Sequence, residues 1–268
     1  MGLNFEKLKK ERQRIHEELK QDRFSELPVE VIHLLNNEVI NHVLHHIKVS
    51  KSEDIPARVL NNWIEKEAIV IDEQDKGKVK RFNKIHCIWL NIIAEARKLG
   101  LHLEDLEAAH QKEMISEIPN FSYVKLGIIN TILNKPHIIE LSQGGIFEIM
   151  YQEEYRTFFN KGNMYYPHSI LPLTSLVQQE FPKSNFELPL EIENVTSDEE
   201  KMLLLFLLKS GAYGYMKVYL SETDIRLIEG SDAVIANEEI KKAISTWKFH
   251  KIEIMLEDET MTIIEGNL

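Results

Sequence analysis

The chain has one cysteine, Cys87, in 268 residues, which excludes an intramolecular disulfide and any all-cysteine metal site. No window reaches the roughly 18 uninterrupted apolar residues of a membrane span. The longest apolar run, MLLLFLL at 202–208, suits a buried helix. The phosphate-cradling P-loop, GxGxxG, the nucleophile elbow and CxxC are all missing. His42 and His46 in HVLHH lie one helical turn apart, but no cysteine or HExxH pattern completes a metal set. No catalytic activity, cofactor or metal is therefore expected. The opening MGLNFEKLKKERQRIHEELK is charged throughout and is unlike a signal peptide. A cytoplasmic protein with no membrane partner is the simplest expectation.

Charge of one sign dominates. The formal net charge is −11, and an acidic protein repels a phosphate backbone. The balance is uneven, however. Residues 51–100 hold ten Lys/Arg against eight Asp/Glu, and the remainder holds 22 against 35. A surface for an acidic polymer belongs in that segment, or in the arm with Lys7, Lys9, Lys10, Arg12 and Arg14.

Apolar spacing sets the organisation. Residues 1–27 read as a charged helical arm with a thin apolar stripe. Pro28 opens a helix in which Val31, Ile32, Leu35, Val39, Val43 and Ile47 recur at helical spacing. The polar KVSKSEDI breaks it. Pro56 then starts a short helix, with Asp54 or Ser52 as its expected cap. Its apolar face is Val59, Leu60, Trp63 and Ile64. DEQDKGKVKRF follows as a hairpin of four Lys/Arg around Gly77. A long helix covers about 83–99, carries Trp89 and Cys87 in its packed face, and stops at Gly100; another restarts at about 103. A boundary near 112–121 closes this mostly helical part, 28–118. Residues 119–268 read as an α+β domain. Two strands flank Gly144-Gly145, a loop and short helix follow, and Ser197 with Glu200 make a capping box ahead of a helix ended by Gly211. Paired hairpins and one more helix complete the chain.

Three pieces stand in order: VLNNWIEKEAIV, GKVKRFN and EARKLGLHLEDL. A short polar-faced helix, a basic hairpin and a supporting helix build a winged helix-turn-helix. Here the sequence resembles the MerR family of bacterial transcription regulators over about 50 residues. Trp63 stands at the aromatic position of that family's recognition helix, and Arg81-Phe82 at the arginine-tyrosine pair of its wing. Leu99-Gly100 with Leu103, Glu104, Asp105 and Leu106 matches its closing motif. Asn61-Asn62 replace its arginine-tyrosine, and Glu67-Ala68 its glycine-leucine.

The expected function is sequence-specific DNA binding in transcriptional regulation. Arg58, Asn61, Asn62 and Lys66 would face base edges, and Lys76, Lys78, Lys80 and Arg81 would hold phosphates. The resemblance implies a homodimer on double-stranded DNA reading a near-palindrome. The family continues into a long dimer helix, whereas here that helix stops after about 15 residues, at Pro119. Dimerisation is therefore expected from the N-terminal helices or the C-terminal domain. That domain is also expected to take an effector or protein partner. A non-catalytic protein-interaction or structural role, with a vestigial DNA module, is the alternative.

Overall fold

The computed structural model describes residues 27, 29–51, 54–71, 80–116, 118, 120–142, 146–160, 168–195 and 198–268. The helical arm over 1–26, the tip of the hairpin at 72–79 and the Gly-Gly turn at 143–145 lie outside the described residues. Among the described residues the architecture is α+β, with helices and two antiparallel sheets.

The first helical stretch is not continuous. It divides into α1 (Val29–Asn36), α2 (Glu38–Asn41) and a π-turn, His42–His46. Asn37 divides it: its side chain accepts the amides of Val39 and Ile40, so the chain restarts there as a new N-terminus. The short helix α3 (Ala57–Glu65) follows Pro56, with no side-chain cap. The expected Asp54 cap is thus not made, and Ser52 lies outside the described residues. Then come α4 (Lys84–Lys98) and α5 (Leu103–Glu113).

α6 (Tyr123–Ile132) is a helix that apolar spacing alone does not predict. It buries Val124, Gly127, Ile128, Ile129 and Ile132, so it carries no polar stripe to reveal a helical period. The first sheet has the order β2-β1-β3, from β1 (His137–Ser142), β2 (Ile146–Tyr151) and β3 (His168–Pro172). β3 falls where a loop was expected. It pairs along one edge of β1, and that pairing is long-range, invisible to local spacing. α7 (Gln152–Asn160) and α8 (Leu173–Glu180) pack on this sheet.

α9 (Glu199–Ser210) starts at Asp198, whose side chain accepts the amides of Glu200 and Lys201. The N-cap is therefore Asp198, one residue past the expected Ser197, which lies outside the described residues. Gly211 ends the helix at φ 65°, as its sequence position predicts. The second sheet, β5-β4-β6-β7, comprises β4 (Tyr215–Tyr219), β5 (Ile225–Ile228), β6 (Lys251–Met255) and β7 (Met261–Glu265). Between β5 and β6 run α10 (Ser231–Ala236) and α11 (Glu238–Ser245).

Buried apolar side chains from Leu34 to Ile264 form one continuous cluster. α4 packs against α8, α5 against β2, and α1 against α9. Among the described residues, no helix is long and apolar enough to cross a membrane.

Candidate nucleic-acid interface

α3 is amphipathic in the sense a reading helix requires. Leu60 and Trp63 are buried, while Arg58, Asn61, Asn62 and Lys66 are exposed on the opposite side. Behind it, Trp89 of α4 is fully buried and its indole Nε1 donates to the Ala68 carbonyl at 2.7 Å. A buried indole N–H needs a partner, and here that partner fixes the turn leaving α3.

That turn has a defined form. Glu67 N donates to the Ile64 carbonyl at 3.1 Å and Ala68 N to the Trp63 carbonyl at 3.0 Å, the paired bonds of a Schellman motif. The motif needs left-handed backbone at its penultimate residue, and Glu67 has φ 53°. The position where the resemblance places glycine thus keeps the glycine conformation with a glutamate in it. α4 ends the same way. Gly100 N reaches the Arg97 carbonyl and Leu101 N the Ala96 carbonyl, both at 3.1 Å, with Gly100 at φ 91°.

A two-residue bridge ties the end of the expected hairpin segment to the stretch before α3. Val49 N donates to the Phe82 carbonyl at 2.9 Å and Phe82 N to the Val49 carbonyl at 2.8 Å. Phe82 is fully buried, so its neighbour Arg81 is turned out to solvent. The ammonium of Lys80 donates to Oδ1 of Asn61. One expected phosphate contact and one expected base reader are therefore in direct contact. Lys76 and Lys78 lie outside the described residues. Acidic groups are close in sequence: Asp54, Glu65 and Glu67 are all exposed.

The segment before α3 does more than interrupt the helical pattern. KVSKSEDI reads as a polar break, yet it supplies Val49 to the bridge and Lys51 to a half-buried ion pair with Glu180 of α8 at 2.7 Å. Asn91 Nδ2 also donates to that carboxylate, at 2.9 Å, and Lys84 Nζ donates to the Glu180 carbonyl at 3.0 Å. Cys87 sits beside this group, fully buried. Burial, and then the charge of Glu180, push its thiol up to about 12, so it stays a thiol at neutral pH. His42 is likewise committed, with Nε2 2.5 Å from Asp258 and its ring stacked on His46.

α5, the helix after Leu99-Gly100, is covered within the chain. Leu106, Ala109, His110 and Glu113 are buried, and Lys112 Nζ donates to the Phe147 carbonyl of β2 at 2.9 Å. Trp89 bridges the two elements, with ring centroids 5.8 Å from His110 and 5.3 Å from Phe147.

No family model, curated protein or solved structure matches this chain.

Proposed function

We propose that the chain is a non-catalytic, sequence-specific DNA-binding regulator of winged helix-turn-helix type, similar to the MerR regulators. α3 would enter the major groove and the hairpin would lie along the phosphates. The observation that carries this reading is the arrangement around α3. Arg58, Asn61, Asn62 and Lys66 are presented together on its exposed side, with Lys80 against Asn61 and Arg81 turned outward beside them. Amides and guanidinium groups read base edges, and cations at the groove rim set register. The left-handed turn at Glu67 supports the same reading.

The protein would act as a homodimer on a near-palindrome. The apolar side of α5 already packs on β2, so a dimer contact through α5 as a free seam is not part of the proposal. Selection of bound duplexes from a random pool at two salt concentrations tests it. A specific sequence should be enriched, with affinity falling steeply as salt rises. No enrichment at low salt overturns the reading. The second reading, a protein-interaction role, is favoured by one observation: exposed Asp54, Glu65 and Glu67 flank or end the same helix.

A further inference from the structure

Side chains alternate along the strands of the second sheet, so its two faces differ. Met216, Val218, Ile252, Ile254 and Ile264 are buried in the core. Their neighbours form the outer face. Ile225 and Leu227 on β5 are 48% and 57% exposed, and Met261 and Ile263 on β7 are 55% and 46% exposed. Tyr215, Tyr219 and Met255 lie between them, half-buried. Large apolar side chains grouped on one open surface mark a contact with another molecule.

The cross-strand register identifies that molecule. The central row reads Leu227, Lys217, Glu253, Ile263 from β5 to β7. It is apolar at both ends, with a cation and an anion between. Read in reverse, cation and anion change places and the ends stay apolar. Two copies can therefore pack face to face about a two-fold axis that runs along the strands, between β4 and β6. Lys217 then faces the partner's Glu253, and Leu227 the partner's Ile263. In the neighbouring row Tyr219 stands beside Lys251, and the same rotation sets each Lys251 ammonium over the partner's Tyr219 ring. Exposed Glu265 sits at the rim of that row, beside the partner's Ile225. A two-fold axis across the strands would instead oppose Lys217 to its own copy and Glu253 to its own copy, and like charges exclude it.

The charged groups are already arranged for this. Glu253 accepts from Lys251 at 2.7 Å and from the Tyr219 hydroxyl at 2.9 Å, which holds its carboxylate in place. A carboxylate accepts more than two hydrogen bonds, so the partner's Lys217 has a place there. Lys217 makes no ion pair among the described residues, and its ammonium lies 5.7 Å from the Tyr215 ring centroid. The face holds Lys217, Lys251, Glu253 and Glu265, which cancel in charge. A nucleic-acid backbone therefore gains no electrostatic hold on it. The four strands span about 19 by 17 Å, less than the roughly 800 Å² per partner of a standard interface. The association is accordingly reversible and concentration-dependent.

We propose that the outer face of the second sheet is a homodimer interface on which a second copy of this chain packs face to face. The inference gives a surface to the homodimer of the proposed function and rests on that part of it. Its test uses no DNA, so its failure and the failure of DNA binding are separate results.

Sedimentation equilibrium of the full chain at low salt, from about 1 µM to about 1 mM, should show monomer and dimer in reversible exchange. Leu227→Asp, Lys217→Glu and Glu253→Lys should each weaken the dimer by about tenfold or more. All three side chains belong to the outer face, outside the core, so folding should survive, and melting temperatures check this. Mixing Lys217→Glu with Glu253→Lys should restore association as a heterodimer, because each charge then meets its opposite across the axis. Mixing would not repair a merely structural effect of either change. Three results each overturn the proposal: a monomer at every concentration, a dimer that Leu227→Asp and Lys217→Glu leave intact, or a mixture of the two charge variants that stays monomeric.

Discussion

The Lys51 ammonium lies 2.7 Å from the Glu180 carboxylate, with side chains 13% and 8% exposed, and so ties the segment before α3 to α8. Asn91 completes the coordination of the carboxylate. Removing one partner of a fully buried pair costs about 3–5 kcal/mol, but this pair is half-buried and Lys51 keeps Asp54 at 3.3 Å. Glu180→Ala should therefore lower stability by less, about 1–2 kcal/mol in urea unfolding. Lys51→Met with Glu180→Leu should recover most of the loss, because the double change buries no charge. Burial pulls the Lys51 pKa down, but the hydrogen bond and charge of Glu180 outweigh it and leave it raised. This contribution is therefore complete below the ordinary lysine pKa and disappears as pH rises through the raised value.

The two Schellman turns make opposite predictions. Glu67 occupies left-handed backbone, φ 53°, that costs an L-residue about 1–2 kcal/mol. Glu67→Gly should raise stability by about 0.5–1 kcal/mol, after the unfolded-state entropy of glycine is subtracted. Gly100 is the converse. A Cβ there meets nothing within 4 Å, so only its φ of 91° opposes substitution. Gly100→Ala should cost about 1 kcal/mol. Thermal unfolding of the two variants reads both signs. A loss of stability in Glu67→Gly would mean that the glutamate side chain supplies something the turn needs.

The legible parts of this fold are those with local causes. Gly100 and Gly211 marked helix ends because left-handed backbone selects glycine, and both hold φ above zero. Trp63 and Trp89 were placed in the core by their helical spacing, and both are buried. The strands of the second sheet alternate inward and outward, as in the pattern of Lys251–Met255, and this period shows in the sequence. The parts that local sequence does not reveal have non-local causes. β3 exists through its pairing with β1. α6 is covered on most sides, so its sequence has no period. Asn37 was hidden inside an apolar pattern that runs straight across its cap. Of the expected interface, Arg58, Asn61, Asn62 and Lys66 share one exposed side because helical geometry dictates it. The Lys80–Asn61 contact and the Val49–Phe82 bridge depend on chain closure over 19 and 33 residues, and no spacing rule supplies that.

His110 makes the chain acid-sensitive. It is 3% exposed, and its Nδ1 is buried with no hydrogen-bond partner. Burial, with a smaller effect from His86, lowers its pKa from 6.5 to about 4. The unfolded chain therefore takes up this proton near pH 6.5 while the folded chain refuses it until about pH 4. Stability is complete above pH 6.5 and falls as the pH drops towards 4, by about 3 kcal/mol for a shift of this size. Urea midpoints measured from pH 7.5 to 4.5 should show this slope. His110→Leu should flatten it, while an unchanged slope would assign the acid sensitivity to other groups.

Under the proposed DNA-binding function, the Lys80–Asn61 contact would separate two kinds of recognition. An amide reads adenine with both its donor and its acceptor, and Oδ1 of Asn61 is taken by the Lys80 ammonium. Sequence reading by Asn61 therefore requires Lys80 to leave it for a phosphate. Lys80→Ala should weaken binding to all sequences alike and reduce the salt slope by about one, as loss of one phosphate contact does. Asn61→Ala should leave the slope unchanged and relax preference at a single base pair, by about 1–3 kcal/mol. Binding isotherms on matched and singly substituted duplexes, at two or more salt concentrations, distinguish these effects. If both variants change only the salt slope, α3 contacts backbone and the base-reading role falls.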